Sequence, residues 1–288
     1  MTSEVYILLP VHNRRETTRR FVTCLVAQTY NNYHLVLIDD GSLDGTAQMV
    51  QEQIRSLTVI QGAGKWWWAG SLQQGYEWLR NQRLNPMDIV LIMNDDTEFD
   101  SDFLENGAAV ISAHPNVLLL AQCYDQRNGE LIDKGVHIDW RKWRMGGAQT
   151  PEEVNCFSTR GLFLHAADFL TLGGFYPRLL PHYLSDYEFT IRAHRRGMQL
   201  ITDPTVKLRA DLETTGYHSF EDCDLQLFLK RYFSIRSNAN PIFRTSFMWL
   251  ACPWPWKVIN IARVWLSAAR KIAAAVQLAV SPKKSLRG

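Results

Sequence analysis

"IVLIMNDDTEFD", residues 89–100, decides how this chain is read. Five apolar residues, Ile89 to Met93, run straight into Asn94, Asp95 and Asp96, with Thr97, Glu98 and Asp100 close behind. The apolar run reads as a strand buried on both faces. Ending such a strand on adjacent carboxylates poses an electrostatic problem, because like charges repel and desolvating them is costly. Either something positive is expected there, or the strand end faces water.

Working outward, "VYILLPV" (5–11), "HLVLIDD" (34–40) and "LTVIQG" (57–62) read as further strands. Helices are expected over residues 16–28, 44–55 and 71–81, the first from the helical spacing of Phe21, Val22, Leu25 and Val26. Strands that alternate with helices in this way predict an α/β fold with a mostly parallel central sheet. In such sheets ligands bind beyond the carboxyl ends of the strands. Three of these ends carry polar clusters: His12-Asn13, Asp39-Asp40 and Asn94-Asp95-Asp96. Their coincidence on one rim predicts a site. After Glu98 the alternation loosens. A strand is expected at 117–124, a hairpin arm at 129–140, strand and helix over 158–175, a helix at 185–197 ended by Gly197, and strand with turn at 198–208.

The clusters differ in what they imply. A divalent cation would relieve the Asp95–Asp96 repulsion, and hard carboxylate oxygens suit Mg²⁺ or Mn²⁺. The alternative is a solvated strand end in which Asp95 caps the next turn. Asp39 and Asp40, before Gly41, can accept hydrogen bonds from a base or ribose, or can simply build an Asp-Gly-Ser turn. His12 and Asn13 can cap the first strand.

The order "LPVHN", "LIDDGSLDGT", "MNDDTEF", "SDYEFTIRAHRRG" resembles the nucleotide-sugar glycosyltransferases of the GT-A fold, in the inverting family 2, over roughly residues 4–220. The resemblance implies a Rossmann-like GT-A domain and a nucleoside diphosphate sugar donor. It implies that Pro10, Asn13, Asp39 and Asp40 hold the nucleotide. The family's D-x-D metal motif falls on Asn94-Asp95-Asp96. Asn94 replaces the first acid, so Asp96 becomes the principal ligand for Mg²⁺ or Mn²⁺, with Asn94 and Asp95 on the donor. The family's catalytic base falls on Asp186, with Ser185 replacing the usual Glu and with Arg192 and Gly197 following. A late metal-side histidine is matched by His218 in "TTGYHS". Transfer from such a donor needs a stabilised leaving diphosphate and a carboxylate to take the acceptor's proton. Asp186 also suits the first turn of a helix, where the dipole favours an acid.

"GAGKWWWAGSLQQG" (62–75) places three tryptophans in a row, and they cannot all face one core. One or two are expected to pack, while Trp68 offers an aromatic surface to a sugar ring. The "WWAG" pattern, with Trp68 and Gly70, is similar to the rhamnosyltransferase-containing subset of the family. Lys65 sits either on the diphosphate or in solvent.

Charge divides the chain. Of 31 Lys and Arg, 11 follow Asp224, which is the last of the 29 acids; the earlier part carries a formal charge of −9 and the remainder +11. This sets a catalytic domain at 1–224 and a basic helical appendage at 225–288. Within the appendage, Asn260, Arg263, Ser267, Arg270 and Lys271 form a polar stripe on an apolar helix over 256–276. That pattern predicts a helix lying on an anionic membrane surface rather than spanning it. The alternative is a helical hairpin packed on the domain or on a second copy, a homo-oligomer. So apolar a helix argues against nucleic acid. The five cysteines lack any CxxC pair, which predicts a reducing compartment, and the N-terminus lacks a basic n-region. The protein is thus expected at the cytoplasmic face of the cell membrane, moving a sugar to a saccharide or lipid-linked acceptor in surface glycan synthesis. A nucleotidyl- or phosphoryltransferase with the same rim, or a non-catalytic nucleotide-sugar-binding member of the fold, are the alternatives. The absence of GxGxxG after the first strand counts against a dehydrogenase.

Overall fold

The computed structural model describes residues 3–210 and 224–280. The first half alternates as expected: β1 (Val5–Val11), α1 (Arg15–Val26), β2 (Tyr33–Asp39), α2 (Thr46–Gln51), β3 (Leu57–Gln61), α3 (Trp67–Arg80) and β4 (Ile89–Ile92). Then follow β5 (Thr97–Phe99), α4 (Phe103–Ala113), β6 (Val117–Asp125), β7 (Leu131–Asp133), β8 (Val136–Asp139), β9 (Arg144–Gly147), β10 (Leu162–His165), α5 (Ala166–Leu172), α6 (Ser185–Arg195) and β11 (Gln199–Ala210). Three helices close the described chain: α7 (Leu225–Tyr232), α8 (Pro241–Ala251) and α9 (Trp256–Val280).

The main sheet runs β3-β2-β1-β4-β10-β6-β11-β5, with β7 beside β6. β3, β2, β1 and β4 pair in parallel, and β10 enters antiparallel next to β4. The pairing through β10 returns β6 and β11 to the common direction, so most strands run one way, as the alternation predicted. In β1, Val5, Ile7, Leu9 and Val11 face a core with Phe21, Val22, Leu25 and Phe103, while Leu8 faces the other core with Leu72, Leu79, Phe169 and Phe189. Helices cover both faces, which is why the strand reads apolar at every position.

Local differences from expectation have identifiable causes. α3 starts at Trp67, four residues before Ser71, because Asp40 supplies acceptors for the amides leading into it. The 129–140 segment does not form one arm. Gly135, at φ +117, turns the chain between β7, which joins the main sheet, and β8, which pairs with β9 in a small separate sheet. β11 continues to Ala210 through an irregularity between Asp203 and Lys207.

The C-terminal helices share a core with the catalytic half. Phe247, Met248 and Ala251 of α8, Cys252 just after it and Val264 of α9 pack with Ile191 and Tyr187 of α6, with Leu180, and with Ile138 of β8. The border at residue 224 therefore divides the chain by charge and not by packing. Of the polar stripe of α9, Asn260 lies inward, while Arg263, Ser267, Arg270 and Lys271 are exposed. The buried Asn260 amide donates to the Trp140 carbonyl at 2.8 Å, and Arg263 donates to the Arg141 carbonyl at 2.7 Å. Val264, 5% exposed, faces the protein, while Trp265 (46%) and Leu266 (59%) face outward. Among the described residues no helix is long and apolar enough to cross a membrane.

Candidate active site

Because β2, β1 and β4 are adjacent and parallel, their carboxyl ends meet on one edge. A cavity of about 510 Å³ opens there, lined by Pro10, His12, Arg14, Asp40, Trp67, Trp68, Asn94, Asp95 and Asp96. The first turn of α6 brings Asp186 to the same cavity, and Arg160, His182, Tyr183 and Arg236 complete its wall. Each of the three polar strand ends contributes residues to this cavity, though Asn13 and Asp39 are not in its lining.

Arg14 answers the electrostatic question posed by the strand end. Its Nε donates to Asp95 Oδ2 at 2.9 Å and its Nη2 reaches Asp96 Oδ2 at 3.4 Å. The Thr18 hydroxyl also donates to Asp95 Oδ2 at 2.9 Å. Burial pushes the Asp95 carboxyl up, opposed by Arg14 and reinforced by the neighbouring charge of Asp96. Asp95 is thus committed to holding the strand end together. Asp96 differs: its Oδ1 is buried and has no hydrogen-bond partner. A hard, unpartnered carboxylate oxygen at the cavity wall fits a divalent cation that completes its shell with water and substrate phosphates. Among the described residues no three His, Cys, Asp or Glu side chains converge to hold a metal ion. His218 lies outside the described residues.

Asp40 is saturated. Its Oδ1 accepts the Gly64 and Lys65 amides at 2.8 and 3.0 Å, and its Oδ2 accepts those of Trp66 and Trp67 at 2.7 and 3.2 Å. Four acceptances fill both oxygens, so Asp40 shapes the 64–67 loop and keeps no lone pair for a nucleotide. Asp39 accepts the Ser42 amide at 2.8 Å and is buried behind the rim. Gly41, at φ +75, lies against Gly64: a Cβ there would sit 2.8 Å from the Gly64 nitrogen. The Asp-Gly-Ser turn therefore locks onto the tryptophan loop. Asn13, at φ +51, accepts the Leu43 amide at 2.8 Å and braces the same turn.

The loop explains the tryptophans. Trp66 and Trp68 pack on the core beneath α3, with Trp68 also lining the cavity. Trp67, at φ +58, faces His182 with ring centroids 5.8 Å apart and carries the Arg236 guanidinium 5.6 Å above its ring. Lys65 gives its amide to Asp40 while its side chain stays exposed and does not line the cavity. Gly70 is buried under Trp66 and Pro177 and likewise lies outside the lining.

Asp186 lies on α6, whose placement is over-determined. Arg192 pairs with Glu188 at 2.9 Å and donates to the carbonyls of Leu172, Gly173 and Gly174. The Thr190 hydroxyl bonds the Phe157 backbone. The helix is capped by Leu184, at φ +69, and not by Ser185, whose hydroxyl donates to the His182 carbonyl at 2.8 Å. Desolvation raises the Asp186 carboxyl from an ordinary 3.8 to about 6; backbone amides at the helix start and the Arg160 charge pull the other way, while Asp133 adds to the rise. A carboxylate so tuned suits proton abstraction near neutral pH. Burial, aided by the Arg236 charge, lowers His182 to about 4, so its imidazole is neutral at physiological pH.

A family model for glycosyl transferase family 2 matches residues 6–167, more than half of the chain. The chain belongs to glycosyl transferase family 2. Solved structures give the same fold. A mannosyltransferase from Pyrobaculum calidifontis, solved with GDP-Man and Mn²⁺, matches over 95% of this chain and 78% of its own, at 19% identity and a TM-score of 0.56. TarS of S. aureus, residues 1–349, matches over 96% of this chain and 90% of its own, at 16% identity and a TM-score of 0.59. That fragment has also been solved with UDP-GlcNAc, and there the match is 14% identical, covers 86% of this chain and 71% of its own, and has a TM-score of 0.55. No curated protein sequence matched.

In this glycosyltransferase the residues that sequence reading missed are mainly cations. Arg14 follows Asn13 directly and carried a readable signal, since an arginine at one strand end can answer acids at the next. Arg160, His182 and Arg236 come from loops without periodicity, and only the fold brings them to the cavity.

Proposed function

We propose that this glycosyltransferase moves a hexosyl or deoxyhexosyl group from a nucleoside diphosphate sugar to a hydroxyl of a saccharide or lipid-linked acceptor, with inversion. One observation carries the reading. Asp186, raised to about 6, and Asp96, with a buried unpartnered oxygen, border the same cavity from opposite parts of the chain. The acceptor hydroxyl gives its proton to Asp186 as its oxygen bonds the anomeric carbon. The bond from that carbon to the diphosphate breaks, and its electron pair leaves with the nucleotide. A single base placed opposite the leaving group gives inversion. Arg160 and Arg236 set positive charge along the cavity where negative charge develops. Asp96, together with the donor's phosphates, would hold Mg²⁺ or Mn²⁺, and the ion would supply Lewis-acid stabilisation of the leaving diphosphate. The Mn²⁺ and GDP-Man of the Pyrobaculum enzyme support this reading, and the "WWAG" loop favours a deoxysugar. A nucleotide-release screen of UDP, GDP and dTDP sugars, with and without Mg²⁺ or Mn²⁺, tests it. Asp96→Ala should abolish metal-dependent donor binding while leaving the fold intact. Undiminished binding would refute the metal assignment.

The proposal includes a place of work: the cytoplasmic face of an anionic membrane, in surface glycan synthesis. Trp249, Trp254, Val258, Trp265 and Leu266 are exposed on α8, α9 and the link between them. Lys257 stands 5.1 Å over the Trp249 ring. No acid follows Asp224. Exposed aromatics flanked only by cations match a headgroup interface.

A further inference from the structure

A second cavity, of about 560 Å³, lies beside the first and is lined by residues 131–136, residues 145–149, Arg160 and Tyr187. Arg160 borders both cavities. So does the first turn of α6: Asp186 faces one cavity and the next residue, Tyr187, faces the other. The seam between the two spaces is therefore the place where a proton would be taken. Volume alone puts the second cavity within the roughly 300–1,000 Å³ typical of small-molecule sites.

Its chemistry is that of a sugar site. Asp133 is fixed in place, accepting the Gly135 amide at 3.0 Å and the Ser158 hydroxyl at 2.8 Å, so its spare lone pairs are held without entropy cost to a ligand. Lys134, Gln149 and Arg160 add long polar side chains, and Arg160 Nε is buried without a hydrogen-bond partner. Leu131, Val136, Met145 and Tyr187 give apolar surface for the C–H face of a ring. The wall at Gly146 and Gly147 is bare: a Cβ at either would meet nothing within 4 Å. The mixture of hydroxyl-binding groups and flat apolar surface fits a saccharide better than a lipid tail, which would leave the charges unsatisfied.

We propose that this second cavity is the acceptor site, that it takes a saccharide, and that Tyr187, Asp133 and Arg160 orient the sugar so that one hydroxyl meets Asp186. The assignment rests on the donor reading of the first cavity. Saturation-transfer NMR on the full chain tests it. The probes are UDP, GDP and dTDP with Mg²⁺, and the methyl glycosides of glucose, galactose, mannose, rhamnose and N-acetylglucosamine. The variants are Gly146→Trp and Gly147→Trp. Both positions are exposed on an edge strand, so neither indole should disturb the fold. Both residues line the cavity and successive strand residues face opposite sides, so at least one indole should enter it. At least one glycoside should give signal with wild type. At least one variant should lower it on the order of tenfold, since a filled cavity leaves no room, with the nucleotide signal unchanged. Glycoside signal unchanged in both variants, or nucleotide binding without any glycoside binding, would overturn the acceptor assignment and leave the donor reading standing. Loss of nucleotide signal in the wild type would sink the donor reading and the acceptor assignment with it.

Discussion

Replacing Asp186 by Asn should make the protein more stable and nearly inactive. Burial raises the carboxyl from 3.8 to about 6, so the folded state binds a proton that the unfolded chain has already lost. Between those values folding stability falls as pH rises, and above about pH 6 the loss is complete. Roughly two pH units at 1.36 kcal/mol each come to ~3 kcal/mol. Asn keeps the shape and carries no charge, so the variant should be more stable than wild type by up to ~3 kcal/mol at pH 8, about half that at pH 5, and little near pH 4. For a chain of 288 residues that corresponds to a Tm gain of about 5 °C at pH 8. Thermal unfolding of both proteins at pH 5 and pH 8, in EDTA, measures it. In parallel, kcat/KM of the wild type should rise with pH through about 6, and the variant should lose turnover by ~10²-fold or more, since an amide takes no proton. A variant no more stable than wild type at pH 8, or a gain that does not shrink at pH 5, would refute the burial argument. Retained turnover with a saturating acceptor would refute the base assignment and favour phosphoryl or nucleotidyl transfer.

Two further outcomes are expected. Asp40→Asn, which offers one carbonyl oxygen where four amides now converge, should destabilise the protein by ~2 kcal/mol or more and weaken nucleotide binding without touching the ligand, as read by denaturant unfolding and nucleotide titration. The full chain should float with anionic vesicles at low salt and less so at high salt, and Trp265→Ser with Leu266→Ser should weaken the salt-resistant part; wild type that fails to float would refute the membrane reading.

The rim was legible because parallel pairing leaves little freedom. Once β1, β2 and β4 are buried strands of one direction, Asn13, Asp40 and Asp96 must share an edge. What each side chain does there was not legible. Asp39, Asp40 and Asp95 look like ligand groups in sequence, yet backbone amides, Gln61, Arg14 and Thr18 already engage their carboxylates. Short-range spacing cannot show hydrogen bonds to residues 20 or 80 positions away. Helix α9 shows the complementary limit. Periodicity identified which residues share a face, but a stripe containing Asn260 and Arg263 reads the same whether water or a carbonyl receives it. The Trp140 carbonyl receives the buried Asn260 amide and the Arg141 carbonyl receives Arg263, while Ser267, Arg270 and Lys271 of the same stripe stay exposed, as does Trp265.

The shared core between α6 and α8 limits how the C-terminal helices can be exchanged. Ile191 and Tyr187, on the helix that carries Asp186, lie against Phe247 and Met248. A graft of residues 225–288 onto a foreign catalytic domain would arrive without its counterface, and the host would be left with an uncovered patch behind its base. A working chimera would have to carry the α6 counterface, Leu180 and β8 along with the tail, so the transferable unit is a three-dimensional slab and not a stretch of C-terminal sequence.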